Sequence, residues 1–261
     1  MTGRPAQAAF LRAACLKKSF QGIQAVKDCS FTVAPGGITA LIGPNGAGKT
    51  TVFNLLTGFL VPDAGAIDFR GTSLVALAPH RIARLGLART FQTIRLFPKM
   101  TVLENVLLAM PDQNERLDHA LAMTPAMRRA EDSCRREALQ WLRLVDLQGK
   151  ANEEAGNLSF GQQKMLEIAK ALATKPALLL LDEPAAGVNL TMLARIGGLI
   201  RDLRARGLTI LFIEHNMDFV MTLADTVVVL DYGEEIAIGT PSEVRSNPRV
   251  IEAYLGGGVS A

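Results

Sequence analysis

The stretch of sequence that decides the fold is GPNGAGKTT, at residues 43–51. It follows an apolar segment at 38–42 that predicts a strand, and it precedes a segment at 51–57 that predicts a helix. Glycines allow the backbone to curl so that successive N–H groups point at one anion, and the positive end of the helix adds to the attraction. The stretch therefore predicts a phosphate-binding loop in an α/β fold, in preference to a glycine-rich turn that binds nothing.

We expect this loop to bind a nucleotide together with Mg²⁺. Lys49 is long enough to reach the β- and γ-phosphates, and the hydroxyl of Thr50 is suited to ligate Mg²⁺. The predicted nucleotide-binding residues of the loop are Gly43, Pro44, Asn45, Gly46, Ala47, Gly48, Lys49, Thr50 and Thr51.

A second signal for a phosphate site is the sequence ALLLLDEP at residues 177–184. Its apolar run has no alternation, which is typical of a strand buried on both faces of a parallel sheet. Asp182 comes at the end of that strand, where it is expected to hold Mg²⁺. Glu183 is then predicted to be the catalytic base that accepts a proton from the attacking water. Alone, the pair could be an acidic turn; together with the loop at 43–51 it favours hydrolysis of the nucleotide.

The segment LSFGQQK at residues 158–164 resembles the signature loop of ATP-binding cassette (ABC) proteins, which commonly reads LSGGQ. It leads into a segment with the apolar spacing of a helix, and Ser159 and Gln162 fit a capping box at its start. The resemblance implies that the signature loop faces ATP held by another cassette. The predicted signature residues are Ser159, Phe160, Gly161 and Gln162, with Phe160 in place of the usual first glycine.

Three further residues lie at positions in the chain where ABC proteins carry other functional motifs. Gln92 occupies the position of the loop that contacts nucleotide and Mg²⁺, although a lone glutamine is ordinarily a surface residue. His215 follows an apolar run at 208–213, in the position of the catalytic histidine that contacts the γ-phosphate. Phe20 occupies the position of the aromatic ring that stacks on adenine, although an aromatic after an amphipathic strand is also ordinary core.

The resemblance implies an α/β P-loop NTPase fold of the ABC type: a RecA-like core, a β-rich flank and a helical subdomain. We expect a single ATP-binding domain at residues 8–256, with its helical subdomain at about 93–164 and flexible termini at 1–7 and 257–261. The flank is predicted at 11–37 and 66–70, and core strands at 177–181, 209–213 and 226–230. The longest helix is predicted at 126–144, and a hairpin strand at 233–239.

Within the family, two segments resemble the larger ATPase subunit of branched-chain amino acid importers. They are RTFQTIRLF at 89–97 and NPRVIEAYLG at 247–256, and an insertion at about 111–130 is also typical of that subunit. The resemblance implies a peripheral protein at the cytoplasmic face of the inner membrane. The expected partners are a second ATPase subunit (a related chain or a second copy), two integral membrane permeases and a periplasmic or extracellular substrate-binding protein.

Composition adds few constraints. The chain has 261 residues and a formal net charge of +3, with basic residues scattered, so nucleic acid is not an expected partner. Arg81, Arg84 and Arg89 are predicted to form a solvated face with local pairing, or to contact the membrane side. Cys15, Cys29 and Cys134 lack metal-ligand spacing and are expected to be reduced thiols.

Three alternatives to an importer subunit remain at this point. A soluble ABC ATPase acting on ribosomes or DNA usually carries two cassettes or long coiled coils, neither of which is evident. A P-loop kinase or GTPase-like switch lacks a signature loop and the histidine at 215. A cassette of another importer or of an exporter is left open, because these cassettes differ little in sequence.

Overall fold

The computed structural model describes residues 9–111 and 125–255. The chain divides into two compact units. The first comprises the residues up to Arg89, Ala177–Ala186 and the residues from Ile200 onward; the second comprises Thr90–Pro176 and Gly187–Leu199. The predicted flexible termini and most of the predicted insertion lie outside the described residues.

Ten strands, all in the first unit, form one mixed sheet in the order β5-β4-β1-β2-β10-β9-β3-β8-β7-β6. The strands of the described residues are β1 (Leu11–Phe20), β2 (Ile23–Val33), β3 (Ile38–Ile42), β4 (Ala64–Phe69), β5 (Thr72–Ser73), β6 (Leu87–Arg89), β7 (Leu178–Asp182), β8 (Thr209–Ile213), β9 (Thr226–Asp231) and β10 (Glu234–Gly239).

Nine α-helices lie within the described part of the chain. The longest has nearly the predicted limits, 126–144. The helices are α1 (Lys49–Leu56), α2 (Pro79–Arg84), α3 (Val102–Leu107), α4 (Pro125–Leu144), α5 (Phe160–Ala173), α6 (Leu190–Ala205), α7 (Met217–Leu223), α8 (Pro241–Arg245) and α9 (Pro248–Leu255).

The core of the sheet is parallel, as the unbroken apolar runs predict. Strands β6, β7, β8, β3 and β9 run in one direction, and every residue of β3, β7 and β8 is buried. In the register, Leu41 pairs with Ile213, and Ile213 also pairs with Asp182. The carboxyl ends of β3, β7 and β8 therefore lie side by side at one edge, where open α/β sheets bind ligands.

The predicted β-rich flank is antiparallel and consists of β1, β2, β4 and β5. Along β1, Leu11, Ala13 and Leu16 are buried, and the residues between them are more exposed. This pattern is typical of a sheet that packs one face against the core. The predicted hairpin strand is β10, which pairs antiparallel with β9. Strand β6 has no counterpart among the sequence predictions, because its three residues are too short to give a period.

The second unit is mainly helical, and α3, α4 and α5 pack on one another. Helix α3 begins at a capping box in which Thr101 and Glu104 exchange hydrogen bonds. Asn105 is fully buried in this unit, and its amide bonds the backbone N–H and C=O of Phe97 and the carbonyl of Thr101. Such a residue holds irregular backbone in place because it satisfies groups that no helix or strand pairs.

Among the described residues, no helix is both long and apolar enough to cross a membrane.

Candidate functional site: a nucleotide-binding loop and its catalytic carboxylates

Two glycines of the loop at 43–51 lie very close to the backbone of neighbouring strands. A Cβ on Gly43, whose φ is 151°, would lie 2.1 Å from the carbonyl oxygen of Leu230, and one on Gly48, whose φ is 99°, would lie 2.4 Å from that of Ala25. Gly48 is also the residue immediately before α1. A side chain at either position would force the loop away from β9 or β2, so the curl of the backbone requires glycine.

Lys49 is buried at the start of α1, with a residual exposure of 6%. Its ammonium donates hydrogen bonds to the carbonyls of Gly43 (2.8 Å) and Pro44 (2.7 Å). Burial lowers the pKa of Lys49 below its ordinary value, and the negative charges of Glu183 and Asp182 act in the opposite direction. The lysine is therefore held at the loop, close to Asp182, the predicted metal ligand, and Glu183, the predicted base.

Asp182 ends β7 and is 4% exposed. Its Oδ2 accepts a hydrogen bond from Nη2 of Arg89 at 2.8 Å, and the side chain of Arg89 is 6% exposed. The prediction that Arg89 belongs to a solvated face is therefore wrong, whereas Arg81 and Arg84 are exposed as expected. Arg89 lies on β6, which pairs with β7. The side chain of Arg89 therefore reaches Asp182 at the end of β7.

Glu183 and His215 are brought together by the adjacent ends of β7 and β8. Nε2 of His215 lies 3.0 Å from Oε1 of Glu183, and the backbone N–H of Glu183 donates to the carbonyl of Ile213. Glu183 has a φ of 49°, which is uncommon for a residue with a side chain and typical of functional positions. The two side chains are therefore within hydrogen-bonding distance of each other.

Glu214 is a residue of this site that sequence reasoning missed. Its side chain is 2% exposed, and its carboxylate accepts hydrogen bonds from the backbone N–H groups of Ala185 (2.6 Å) and His215 (3.0 Å). It thereby joins the turn after Glu183 to the loop that carries His215. The available signal was a charged residue directly after a buried strand and before a candidate catalytic histidine.

Thr50 and Asp182 supply oxygen donors, which suit Mg²⁺. Within residues 9–111 and 125–255, no group of three or more histidine, cysteine, aspartate or glutamate side chains could hold a metal ion by itself. In nucleotide sites, Mg²⁺ is commonly held by one or two protein ligands together with phosphate oxygens and water.

Phe20, the predicted adenine-stacking residue, ends β1 and is 42% exposed. The alternative of a core aromatic is therefore excluded. The ammonium of Lys18 lies 5.7 Å from the centre of its ring. The ring is accessible to a ligand, and stacking on adenine stays a prediction.

The signature loop belongs to the second unit, where the predicted capping box is present. Ser159 accepts a hydrogen bond from the N–H of Gln162, and the Gln162 side chain accepts one from the N–H of Ser159. Phe160 is 49% exposed, and its ring would lie 2.9 Å from a Cβ on Gly187. The aromatic ring at the position of the usual glycine thus packs over a glycine of the turn that follows residue 186.

Gln92 is exposed and lies in the second unit, on a loop fastened to α5. Glu167 of α5 accepts a hydrogen bond from the backbone N–H of Phe91, and Lys170 donates to the carbonyl of Arg95 at 2.7 Å. Burial raises the pKa of Glu167, and backbone hydrogen bonds from Phe91 and Arg95 oppose the rise. The loop that carries Gln92 is thus tied to the helix that begins at the signature loop.

The structure therefore brings Lys49, Asp182, Glu183 and His215 together in the first unit. Gln92 and the signature residues, at 159–162, lie in the second. The fold and the first-unit site define a P-loop nucleotide-binding protein. A family model described as "ABC transporter" matches residues 26–186, and the chain belongs to the ABC transporter family.

Family membership confirms the predicted ABC-type fold and the prediction of an ATPase coupled to transport; it sets aside the kinase and GTPase alternatives. A second family model, described as "Branched-chain amino acid ATP-binding cassette transporter", matches residues 234–260. The resemblance to the ATPase subunits of branched-chain amino acid importers is thereby confirmed as well.

Relatives extend the similarity to nearly the whole chain. The chain is 46% identical over 243 residues to the high-affinity branched-chain amino acid transport ATP-binding protein LivG of Escherichia coli K12, covering 92% of this chain and 95% of that protein. The identity and both coverages are the same for the corresponding protein BraF of Pseudomonas aeruginosa PAO1.

Two solved structures share the fold. The ADP conformation of MJ1267, an ATP-binding cassette of an ABC transporter, has a TM-score of 0.82 and 33% identity, covering 95% of this chain and 99% of that one. A nucleotide-free ATP-binding cassette from an ABC transporter has a TM-score of 0.81 and 33% identity, with coverages of 94% and 98%.

Replacing Lys49 by alanine should weaken ATP binding at least about tenfold, because truncating a charge-assisted contact costs ~1.5–3 kcal/mol. Hydrolysis should be lost. Equilibrium binding of a fluorescent ATP analogue and phosphate release measure the two effects. Lys99→Ala, which truncates an exposed lysine, is the matched control. Wild-type binding and hydrolysis by Lys49→Ala would exclude this loop as the phosphate site.

Proposed function

We propose that this chain is the ATP-hydrolysing subunit of an importer for branched-chain amino acids, bound at the cytoplasmic face of the inner membrane. The observation that carries the proposal is similarity over 92% of the chain to proteins named as branched-chain amino acid transport ATP-binding proteins. The match of residues 234–260 to the branched-chain amino acid family model supports the same substrate class.

In this proposal, the loop at 43–51 binds the phosphates through its backbone N–H groups and Lys49. Glu183 accepts the proton of the attacking water. His215 lies 3.0 Å from the carboxylate of Glu183, orients that carboxylate and reaches the γ-phosphate. Phe20, exposed at the end of β1, stacks on adenine. Phe20, Glu183 and His215 lie at or shortly after the end of a strand, and Lys49 lies at the start of α1.

Mg²⁺ belongs to the same proposal, with Thr50, Asp182 and Gln92 as the residues that hold it directly or through water. When bound with the nucleotide, the ion neutralises charge on the phosphate oxygens. The contribution of the chain is to supply oxygen donors. Asp182 is suited to this role because it is buried and its carboxylate is held by a hydrogen bond from Arg89.

The proposed working form is a pair of cassettes that clamp ATP between them. Ser159 and Gly161 at the start of α5 supply the second wall of the site in the partner cassette, since a capped helix start favours an anion. The partner is a related ATPase chain or a second copy of this one. Two integral membrane subunits and an external substrate-binding protein complete the importer, and the loop carrying Gln92 transmits closure to the membrane subunits.

Replacing Glu183 by glutamine should preserve ATP binding and reduce hydrolysis by about 10²–10⁴-fold, because the amide cannot accept the proton from water. ATP then persists, and the closed pair of cassettes should accumulate. Size-exclusion chromatography with Mg-ATP, using the variant alone and mixed with its partner cassette, measures this accumulation.

Glu252→Gln is the matched control, because Glu252 is an exposed carboxylate on α9. It should hydrolyse ATP at the wild-type rate and should not trap a dimer. Near-normal turnover by Glu183→Gln would contradict its role as the base. Absence of an ATP-dependent dimer in both mixtures would contradict the paired-cassette form.

The substrate class is tested with the importer purified from native membranes through a tag on this chain. Two integral membrane proteins and a second cassette should co-purify. After reconstitution in vesicles, ATP hydrolysis should rise at least severalfold with binding protein loaded with leucine, isoleucine or valine, and not with unloaded protein. Stimulation by a different class of solute, with none by these three, would overturn the substrate assignment.

A further inference from the structure

Arg89 makes a dense set of contacts at the edge of the nucleotide site. Besides its contact to Asp182, its Nη1 donates hydrogen bonds to Oδ1 of Asn54 at 2.7 Å and to Oγ1 of Thr57 at 3.2 Å. The guanidinium carbon lies 5.5 Å from the centre of the Phe53 ring. One buried cation thus connects the end of β7 with the C-terminal half of α1 and the residue that follows it.

The two elements joined by this guanidinium both carry parts of the nucleotide site. Helix α1 begins at Lys49 and continues from the phosphate loop, and β7 ends at Asp182, the predicted metal-binding carboxylate. A guanidinium is planar and presents its donors in a fixed fork, so the contacts of Nη1 to Asn54 and Thr57 set the direction from which Nη2 donates to Asp182. A lysine in its place would keep the charge but could not reproduce the fork.

Stability alone is a weak explanation for this pair. Buried ion pairs are costly to desolvate, and apolar residues of similar size often stabilise a fold as well or better. The contact does provide a defined orientation of one carboxylate in a site where a metal ligand must be correctly aimed.

We propose that Arg89 is a positioning residue for Asp182: by anchoring this carboxylate to α1, it lowers the Mg²⁺ concentration that ATP binding requires. The inference rests on the proposed function, in which Asp182 holds Mg²⁺. It adds a residue whose effect on the ion is exerted through Asp182.

Two effects of Arg89 on Mg²⁺ binding have opposite signs. Its positive charge disfavours a second cation nearby, whereas its hydrogen bonds align the carboxylate in advance. Arg89→Lys separates them, because the charge remains and the fork is lost. Asn54→Ala is a second, milder probe, since it removes one anchor of Arg89 and leaves the contact to Asp182 in place.

The experiment measures equilibrium binding of a fluorescent ATP analogue at fixed concentration while Mg²⁺ is titrated. The half-saturating Mg²⁺ concentration should rise about tenfold in Arg89→Lys and about threefold in Asn54→Ala, in line with the loss of charge-assisted and single hydrogen bonds. Binding of the analogue in EDTA should stay within about twofold of wild type. Arg84→Lys, at an exposed arginine of α2, should leave both values unchanged.

If a folded Arg89→Lys protein had the same half-saturating Mg²⁺ concentration as wild type, the inference would be overturned. The ion pair between Arg89 and Asp182 would then have a purely structural role. If Arg89→Lys weakened binding of the analogue as much in EDTA as with Mg²⁺, the inference would also be overturned, because the substitution would then act on the phosphate loop. If Arg89→Lys does not fold, Asn54→Ala decides alone. If wild-type binding does not depend on Mg²⁺, the proposed metal role of Asp182 fails first and this inference fails with it.

Discussion

The constraint on which the rest of the site depends is the close approach of two backbone carbonyls to the phosphate loop. The carbonyl of Leu230 leaves no space for a Cβ at Gly43, and that of Ala25 leaves none at Gly48. The loop is therefore held between β9 and β2 in a conformation available to glycine. Lys49 follows immediately, and its hydrogen bonds to the carbonyls of residues 43 and 44 fix it at the loop.

The parallel core sheet then determines which side chains share the site. Because β3 lies between β8 and β9, and β7 lies beside β8, residues far apart in sequence emerge at one edge. Buried charges at that edge have partners: Arg89 contacts Asp182, and Glu214 accepts from backbone N–H groups. Pairing of this kind allows charge to be kept in a dry environment, where it acts more strongly on a phosphate than it would in water.

Local patterns in the sequence predicted much of this arrangement. The loop at 43–51, the buried strand before Asp182 and the capping box at Ser159 are each encoded within a few neighbouring residues, and each is present as predicted. The β-rich flank and the longest helix are also predictable, because their hydrophobic periods extend over many residues.

What the sequence did not reveal depends on partners distant along the chain. No local pattern marks Arg89 as buried, because its partners, Asn54 and Asp182, are 35 and 93 residues away. Strand β6 is too short to show a period, and it forms only because β7 offers it an edge. The role of Glu214 likewise depends on the backbone of Ala185, 29 residues away.

The most direct test of the account is hydrogen–deuterium exchange of the intact protein with and without Mg-ATP, because exchange reports which backbone amides a ligand protects. Peptides covering residues 43–51 should be protected by Mg-ATP, and this protection should be absent in Lys49→Ala. Protection confined to other segments, or unchanged exchange at 43–51 when the nucleotide is bound, would contradict the assignment of this loop as the phosphate site.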